Sequence, residues 1–238
     1  MLHAAAATIL DDIITNSTAD ESSKIIREFN QCICGQSSSL QRLDYLSDVY
    51  ARMRTEFPPR LWRRYAEAIT GAVRCGLDEA RHSSPASEVF PDLESYLTFR
   101  RSEIFGYAML IVFEWCLGVN LSYSRQSVPR LSEIIDVVID YWTIINDIYS
   151  FNRENSHGEK LNILWILSDG NSSSIYEAAK IATAIASDTE SRLRALISAL
   201  QSEQSCGNDL KWFLENIDYM ISGAIMFCKI TSRYRCEG

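Results

Sequence analysis

Glycine and proline are scarce in this chain of 238 residues, which contains 10 Gly and 5 Pro. These residues punctuate short strands and tight turns, and no segment shows the apolar–polar alternation of a half-buried strand. Apolar residues recur instead at helical spacing over long segments, in a chain that is 47% hydrophobic and 23% charged. The sequence therefore predicts an all-α fold, and its length suits a single domain over residues 1–238.

The chain also lacks a run of basic residues and carries a formal net charge of −8. A nucleic-acid partner is not expected, because such proteins present a basic patch or stripe. The longest apolar segment covers residues 104–119 and contains Glu114. It is too short and too charged at its middle to span a membrane, and a core helix is predicted. The first residues lack the basic start of a signal peptide, so we expect a cytoplasmic protein.

None of the seven cysteines lies in a zinc-binding pattern. Cys32 and Cys34 form the one close pair, and neither a second pair nor a histidine follows at zinc spacing. An odd number of cysteines scattered through apolar segments is typical of reduced thiols. Neither zinc chemistry nor a disulfide framework is expected.

Nine helices are predicted from the apolar periodicity and from the Ser-, Gly- and Pro-rich breaks between periodic segments. They cover about residues 2–15, 20–33, 39–56, 59–82, 93–119, 129–155, 160–168, 173–203 and 208–232. The segment 134–145 is apolar on nearly every side, which indicates a helix buried in the middle of the domain.

The chain does contain a distinctive polar segment at the end of that buried helix. Asn146, Ser150 and Glu154 are four residues apart, so their side chains line one face of one helix. An amide oxygen, a hydroxyl and a carboxylate form the all-oxygen ligand set that Mg²⁺ prefers. The alternative is a solvated polar stripe on an amphipathic helix. The buried helix that precedes the segment favours a metal site.

The pattern Asn-Asp-x-x-Ser-x-x-x-Glu, with a basic residue before the Glu, resembles the second metal-binding motif of class I terpene synthases. Three further features lie where that family would place them. Arg100 precedes Asn146 by 46 residues (146 − 100), and the pair Arg233-Tyr234 begins 87 residues after it (233 − 146). The segment 157–163 is similar to the loop and helix start that follow the family's metal helix.

This resemblance covers roughly residues 8–235 and implies the helical bundle of class I terpenoid synthases, shortened at its N-terminus. It implies Mg²⁺ as the cofactor, typically three ions, with the three polar residues of the motif as ligands. An aspartate-rich motif should supply the remaining ligands, and Asp11 and Asp12 are the candidates. The third carboxylate common in the family is missing at positions 15 and 16. The alternative for an isolated Asp pair is a helix-end or turn role.

The resemblance also implies a set of groups that bind the substrate diphosphate. Arg100 would sense the diphosphate, and Arg153 would contact it directly. Arg233 and Tyr234 would close over it when the C-terminal segment becomes ordered. Arg100 and Tyr234 are therefore expected among the catalytic residues, whereas the neighbouring Arg101 is expected to form a salt bridge or lie on the surface.

Aromatic side chains suit a site that handles a carbocation, because their faces attract cations without offering a nucleophile. Phe227 is the first candidate for this catalytic role, with Trp142 and Phe99 behind it. Simple core packing is the alternative for each of them. Glu103 and Ile104 resemble the family's linker and effector positions, which couple the sensor arginine to the substrate.

The function implied by the resemblance is Mg²⁺-dependent ionisation and cyclisation of a linear prenyl diphosphate. Farnesyl diphosphate is the expected substrate and a sesquiterpene the expected product. Chain-elongating relatives usually carry two Asp-Asp-x-x-Asp motifs, so the Asn/Ser/Glu set favours cyclisation. A catalytically silent relative that binds prenyl diphosphates is the other hypothesis, because family helices that precede the aspartate-rich motif have no counterpart before residue 11. A homodimer is also expected from the family.

Overall fold

The computed structural model describes residues 2–15, 17–77, 86–121, 128–203 and 206–234. These residues form α-helices and two short 3₁₀ helices, with no β-strand among them, so the all-α prediction is confirmed. The α-helices in chain order are α1 Leu2–Thr15, α2 Ala19–Ile33, α3 Gln41–Glu56, α4 Pro59–Gly76, α5 Ala86–Val89, α6 Leu93–Glu103, α7 Gly106–Cys116, α8 Pro129–Ser156, α9 Ile163–Leu167, α10 Ile175–Gln201 and α11 Asn208–Ile230. The 3₁₀ helices are Ser172–Ser174 and Ser232–Tyr234.

One predicted helix was wrong, because residues 93–119 form two helices, α6 and α7, rather than one. Phe105 has a φ of 59°, a left-handed conformation that no α-helix contains. Its N–H bonds to the Glu103 carbonyl at 2.9 Å, so the helical ladder ends there. The prediction failed because a buried phenylalanine, and not a glycine, takes the unusual φ.

The other helix boundaries differ from the predictions mainly at their ends. The helix that begins at Pro59 ends at Gly76, and most of its predicted extension lies outside the described residues. Helix α9 begins three residues later than predicted, because Asn162 caps it. The four-residue helix α5 was not predicted, since one turn is too short to show a periodic pattern.

The chain divides into two compact units, residues 1–79 with 102–116 and residues 80–101 with 117–238. In the first unit, α4 packs against α7 and α2, while α1 and α2 pack against α3. Its core is largely aliphatic and includes a buried aromatic cluster. Phe29 meets Tyr50 edge to face at 5.7 Å between ring centroids, and Tyr50 lies 6.3 Å from Tyr65.

The first unit also buries the charge that interrupts its longest apolar segment. Arg64 on α4 donates from both terminal nitrogens to Glu114 on α7, at 2.9 and 2.8 Å. Glu114 is 1% exposed. The core-helix prediction for this segment is confirmed by that burial. Across the described ranges, no helix is both long enough and apolar enough to cross a membrane.

Helix α8 forms the centre of the second unit, where it packs against α9, α10, α11 and the 3₁₀ helix 232–234. Residues 137–144 are all buried, which confirms the prediction of a helix buried on nearly every side. Helix α10 presents Ala178, Ala182 and Ala186 as a ridge of small buried residues. Small side chains at four-residue spacing let a neighbouring helix approach closely. The buried α8 holds the polar segment 146–154 at its C-terminal end.

Candidate active site

The three polar residues of the metal motif lie on the last turns of α8. Ser150 is 1% exposed, and its hydroxyl forms no hydrogen bond of ordinary geometry, although it lies close enough to the Glu154 carboxylate to favour its charged form. A buried hydroxyl without a hydrogen bond is unfavourable, so this oxygen is suited to another ligand. With the Asn146 amide oxygen and Glu154, it forms a donor set that fits a hard divalent cation.

The Glu154 carboxylate lies in an environment that disfavours its negative charge. Desolvation, followed by the charge of Asp147, raises the pKa of Glu154 to about 7. Ser150, Asn162 and Arg100 oppose this rise. A cation near such a carboxylate would favour its ionised form.

Asp147 is the most heavily used acceptor of this region, and it is fully buried. Its Oδ1 accepts a hydrogen bond from Arg100 Nη2 at 2.9 Å. Its Oδ2 accepts one from the Tyr96 hydroxyl and one from the Ile163 backbone N–H at 2.9 Å. The sequence prediction gave this aspartate no role. Its position on the same helix face as Ser150 and Glu154, three and seven residues earlier, was the available signal.

Asn162 was also missed as a site residue, although it is fully buried beside the motif. Its amide nitrogen donates to the Asp147 carbonyl at 2.8 Å and to Glu154 Oε2 at 2.9 Å. Its amide oxygen accepts from Leu164 N–H at 2.9 Å and so caps α9. An asparagine directly before an apolar helix start was the sequence signal for the cap alone.

The adjacent arginines of α6 both reach α8 but bind different carboxylates. Arg100, which is 6% exposed, pairs with Asp147. Arg101 forms a two-bond pair with Asp140, at 2.6 and 2.7 Å, and thus makes a salt bridge as expected from the sequence. Desolvation raises the pKa of the Asp140 carboxyl, against the opposing effect of Arg101.

A hydrogen bond connects the C-terminal pair to the metal motif. Asn146 donates from its amide nitrogen to the Tyr234 hydroxyl at 2.7 Å, which leaves the amide oxygen as the atom to ligate a cation. Arg233 lies half-buried on the same 3₁₀ helix. Arg153 approaches Glu159 at 4.0 Å. The structure therefore brings Tyr234 to the motif, while the diphosphate roles of these residues stay predictions.

The other predicted metal ligands lie on α1, and the first aromatic candidate lies on α11. Asp11 and Asp12 are half-buried on α1 in the first unit, whereas the Asn/Ser/Glu set belongs to the second. Within the described ranges, no three His, Cys, Asp or Glu side chains cluster as a metal site. Phe227 is 41% exposed on α11.

The other aromatic and coupling candidates have identifiable surroundings. Trp142 is buried on α8, and Phe99 packs against Phe90 at 5.3 Å between ring centroids. Glu103 is the buried last residue of α6, and Ile104 lies half-buried in the break before α7. Their roles stay predictions.

A sequence model described as terpene synthase family 2, C-terminal metal binding, matches residues 4–192. The matched segment contains both candidate metal motifs and ends before Arg233.

Curated relatives include (3S,6E)-nerolidol synthase of Selaginella moellendorffii, 23% identical over 99% of this chain and 66% of the relative. Sesquiterpene synthase 3 of Postia placenta is 28% identical over 52% of this chain and 36% of the relative. The chain therefore spans 66% or less of the length of these relatives.

Solved structures with the same architecture include aristolochene synthase from Penicillium roqueforti, with a TM-score of 0.74 and 16% identity over 94% of this chain and 75% of that chain. Germacradien-4-ol synthase from Streptomyces citricolor has a TM-score of 0.71 and 17% identity over 92% of this chain and 74% of that chain. At these identities the likeness shows a shared class I terpene synthase fold.

Proposed function

This chain belongs to terpene synthase family 2, and from that membership and the site we propose that it ionises and cyclises farnesyl diphosphate to a sesquiterpene. The observation that carries the proposal is the buried end of α8, where an amide, a hydroxyl without a hydrogen bond and a carboxylate share one helix face. Relatives described as sesquiterpene synthases support the prenyl chain length.

Mg²⁺ fits the donor chemistry of this site. We assign Asn146, Ser150 and Glu154 as ligands, with Asp11 and Asp12 as the proposed second set, and three ions as the number implied by the family. Bound Mg²⁺ would stabilise the negative charge that develops on the departing diphosphate.

The protein's own groups would bind and orient the substrate. Arg100 has its guanidinium fixed by a buried carboxylate, so it presents a positive charge of set direction. Arg153, Arg233 and Tyr234 are proposed to hold the diphosphate. The allylic carbon–oxygen bond then breaks, and its electron pair leaves with the diphosphate. Phe227 would face the resulting carbocation in the closed site.

The test is incubation of the purified protein with farnesyl diphosphate and Mg²⁺, followed by analysis of the organic extract by gas chromatography and mass spectrometry. We expect a sesquiterpene hydrocarbon or alcohol, and EDTA should abolish its formation. Glu154→Gln should lower its formation by about 100-fold, because the substitution removes the one negative charge that this set of ligands offers to Mg²⁺. Glu177→Gln, at an exposed residue of α10, is the matched control and should leave the rate unchanged.

The other possible outcomes would contradict parts of this proposal. Equal product from the Glu154 variant would reject the metal assignment. Metal-dependent binding of diphosphate without product would favour a catalytically silent relative. A longer prenyl diphosphate, formed when isopentenyl diphosphate is added, would identify a chain-elongating enzyme. Homodimer formation and a cytoplasmic location stay predictions.

A further inference from the structure

The side chain of Asn162 connects the start of α9 to the last turns of α8. Asn162 is fully buried, and both hydrogens of its amide nitrogen are used, one on the Asp147 carbonyl and one on Glu154 Oε2. The oxygen of the same amide caps α9 at Leu164. The neighbouring Ile163 N–H binds the Asp147 carboxylate at 2.9 Å, which fixes the backbone at the next residue.

Capping alone does not explain an asparagine at this position. A helix cap needs a side-chain oxygen, and Ser or Asp serves as well as Asn. Asn171 shows this simpler case, since its oxygen accepts from the Ser173 N–H at 3.0 Å and the Ser173 hydroxyl at 2.7 Å on an exposed surface. At position 162 the nitrogen faces two acceptors, and an aspartate there would place a carboxylate against Glu154.

Resting on the function proposed above, we propose that Asn162 is a positioning residue for the metal ligand Glu154. The amide nitrogen of Asn162 donates to Oε2 of Glu154. Three other hydrogen bonds at positions 162 and 163 fix the place of this amide. The second oxygen of the carboxylate, Oε1, is thereby the one presented to a divalent cation. Groups that orient a ligand in this way typically change metal affinity by about 10–100-fold when they are removed.

Two variants separate orientation from capping. Asn162→Asp keeps the capping oxygen but loses both donors, and Asn162→Ser keeps a cap and one donor. Mn²⁺ binding in the presence of inorganic diphosphate is measured by electron paramagnetic resonance of the free ion, with circular dichroism to verify the fold. We expect the affinity to fall by about 10–100-fold in both variants. Asn171→Asp is the matched control and should change it by less than about twofold.

The dependence of product formation on Mg²⁺ concentration distinguishes weaker metal binding from loss of the fold. Excess Mg²⁺ should restore product formation in the Asn162 variants, because Glu154 is still present, so the change lies in the metal concentration required and not in kcat. In a Glu154→Gln background, Asn162→Ser should have no further effect on Mn²⁺ binding.

A folded Asn162→Ser protein that binds Mn²⁺ with wild-type affinity would overturn the inference. Loss of the fold in both variants would also overturn it, because Asn162 would then have a purely structural role. If the wild type binds Mn²⁺ with diphosphate but makes no product, the proposed cyclase activity fails while the binding series still decides the role of Asn162. If the wild-type protein binds no Mn²⁺, both the proposed cyclase activity and the positioning role of Asn162 are rejected.

Discussion

The two compact units bury ionic groups in different ways. In the first, the two terminal nitrogens of Arg64 on α4 donate to the Glu114 carboxylate on α7, one to each oxygen. An ion pair of this kind ties two helices together and contributes little that a well-packed apolar pair could not supply.

In the second unit, the Asp147 carboxylate is divided among donors from two other segments. Arg100 and Tyr96 come from α6, and the Ile163 N–H comes from the start of α9. Such a carboxylate sets the relative positions of three segments beside the candidate metal ligands. We therefore expect apolar residues to replace the first pair at little cost, and the second to be needed for the geometry of the candidate site.

Replacing both partners of each pair by apolar residues is the strongest test of this difference. Glu114→Leu alone should lower the free energy of unfolding by about 3 kcal/mol, because it leaves Arg64 without its carboxylate. Adding Arg64→Met should bring the value back to within about 1 kcal/mol of wild type. Urea unfolding of the two variants and the wild type measures both steps.

In the second unit, the double replacement Arg100→Met with Asp147→Leu should not bring the free energy of unfolding back to the wild-type value. The Tyr96 hydroxyl and the Ile163 N–H lose their acceptor, at about 1–3 kcal/mol for each buried donor. Full recovery there would show that the two units do not differ in this respect.

The sequence predicted the parts of the site that depend on local spacing. The four-residue interval of the metal motif and the apolar run before it lie on one helix, so periodicity alone placed Asn146, Ser150 and Glu154 together. Most helix boundaries followed from the same signal.

Contacts between distant residues had no such signal. Arg100 and Asp147 are 47 residues apart, and Asn162 reaches back 15 residues to Asp147, so their partners emerge only when the helices pack. The break at Phe105 was invisible for a related reason. Tertiary packing holds a non-glycine residue at positive φ, which no local propensity predicts.

Alanine substitutions at helix glycines should change the stability of both units by a smaller amount. An added Cβ at Gly71 in α4, or at Gly223 in α11, meets nothing within 4 Å. Alanine at either position should raise the free energy of unfolding by about 0.5–1 kcal/mol, through better helix propensity. Gly76→Ala is the contrasting variant, because its Cβ would lie 3.2 Å from Ile14 Cγ2 and the crowding should cancel the gain. Thermal unfolding ranks the three, and equal gains would show that Ile14 adjusts without cost.

The smallest expected effect is a pH dependence shared by the two units. Hydrogen bonds from the backbone and hydroxyl of Ser39, and one from Ser38, lower the pKa of Glu28 from its ordinary value. A hydrogen bond from the backbone N–H of Ser95 is the main cause that lowers the pKa of Asp92 from its ordinary value. Each carboxylate is therefore more acidic folded than unfolded, so its contribution is complete above the unfolded pKa and disappears as the pH falls through the folded pKa.

Glu28→Gln and Asp92→Asn should consequently be less stable than wild type near pH 7, and the difference should shrink between about pH 5 and pH 3. Urea midpoints measured across this range test the prediction, with Glu67→Gln, at an exposed residue of α4, as the control. A difference that stays constant with pH would mean that the amides lose packing or hydrogen-bond geometry and not a charge-dependent interaction. Both carboxylates accept a hydrogen bond from a serine backbone N–H, so the two units should respond to acid in the same direction at these positions. Their buried ion pairs, in contrast, should respond differently to replacement by apolar residues.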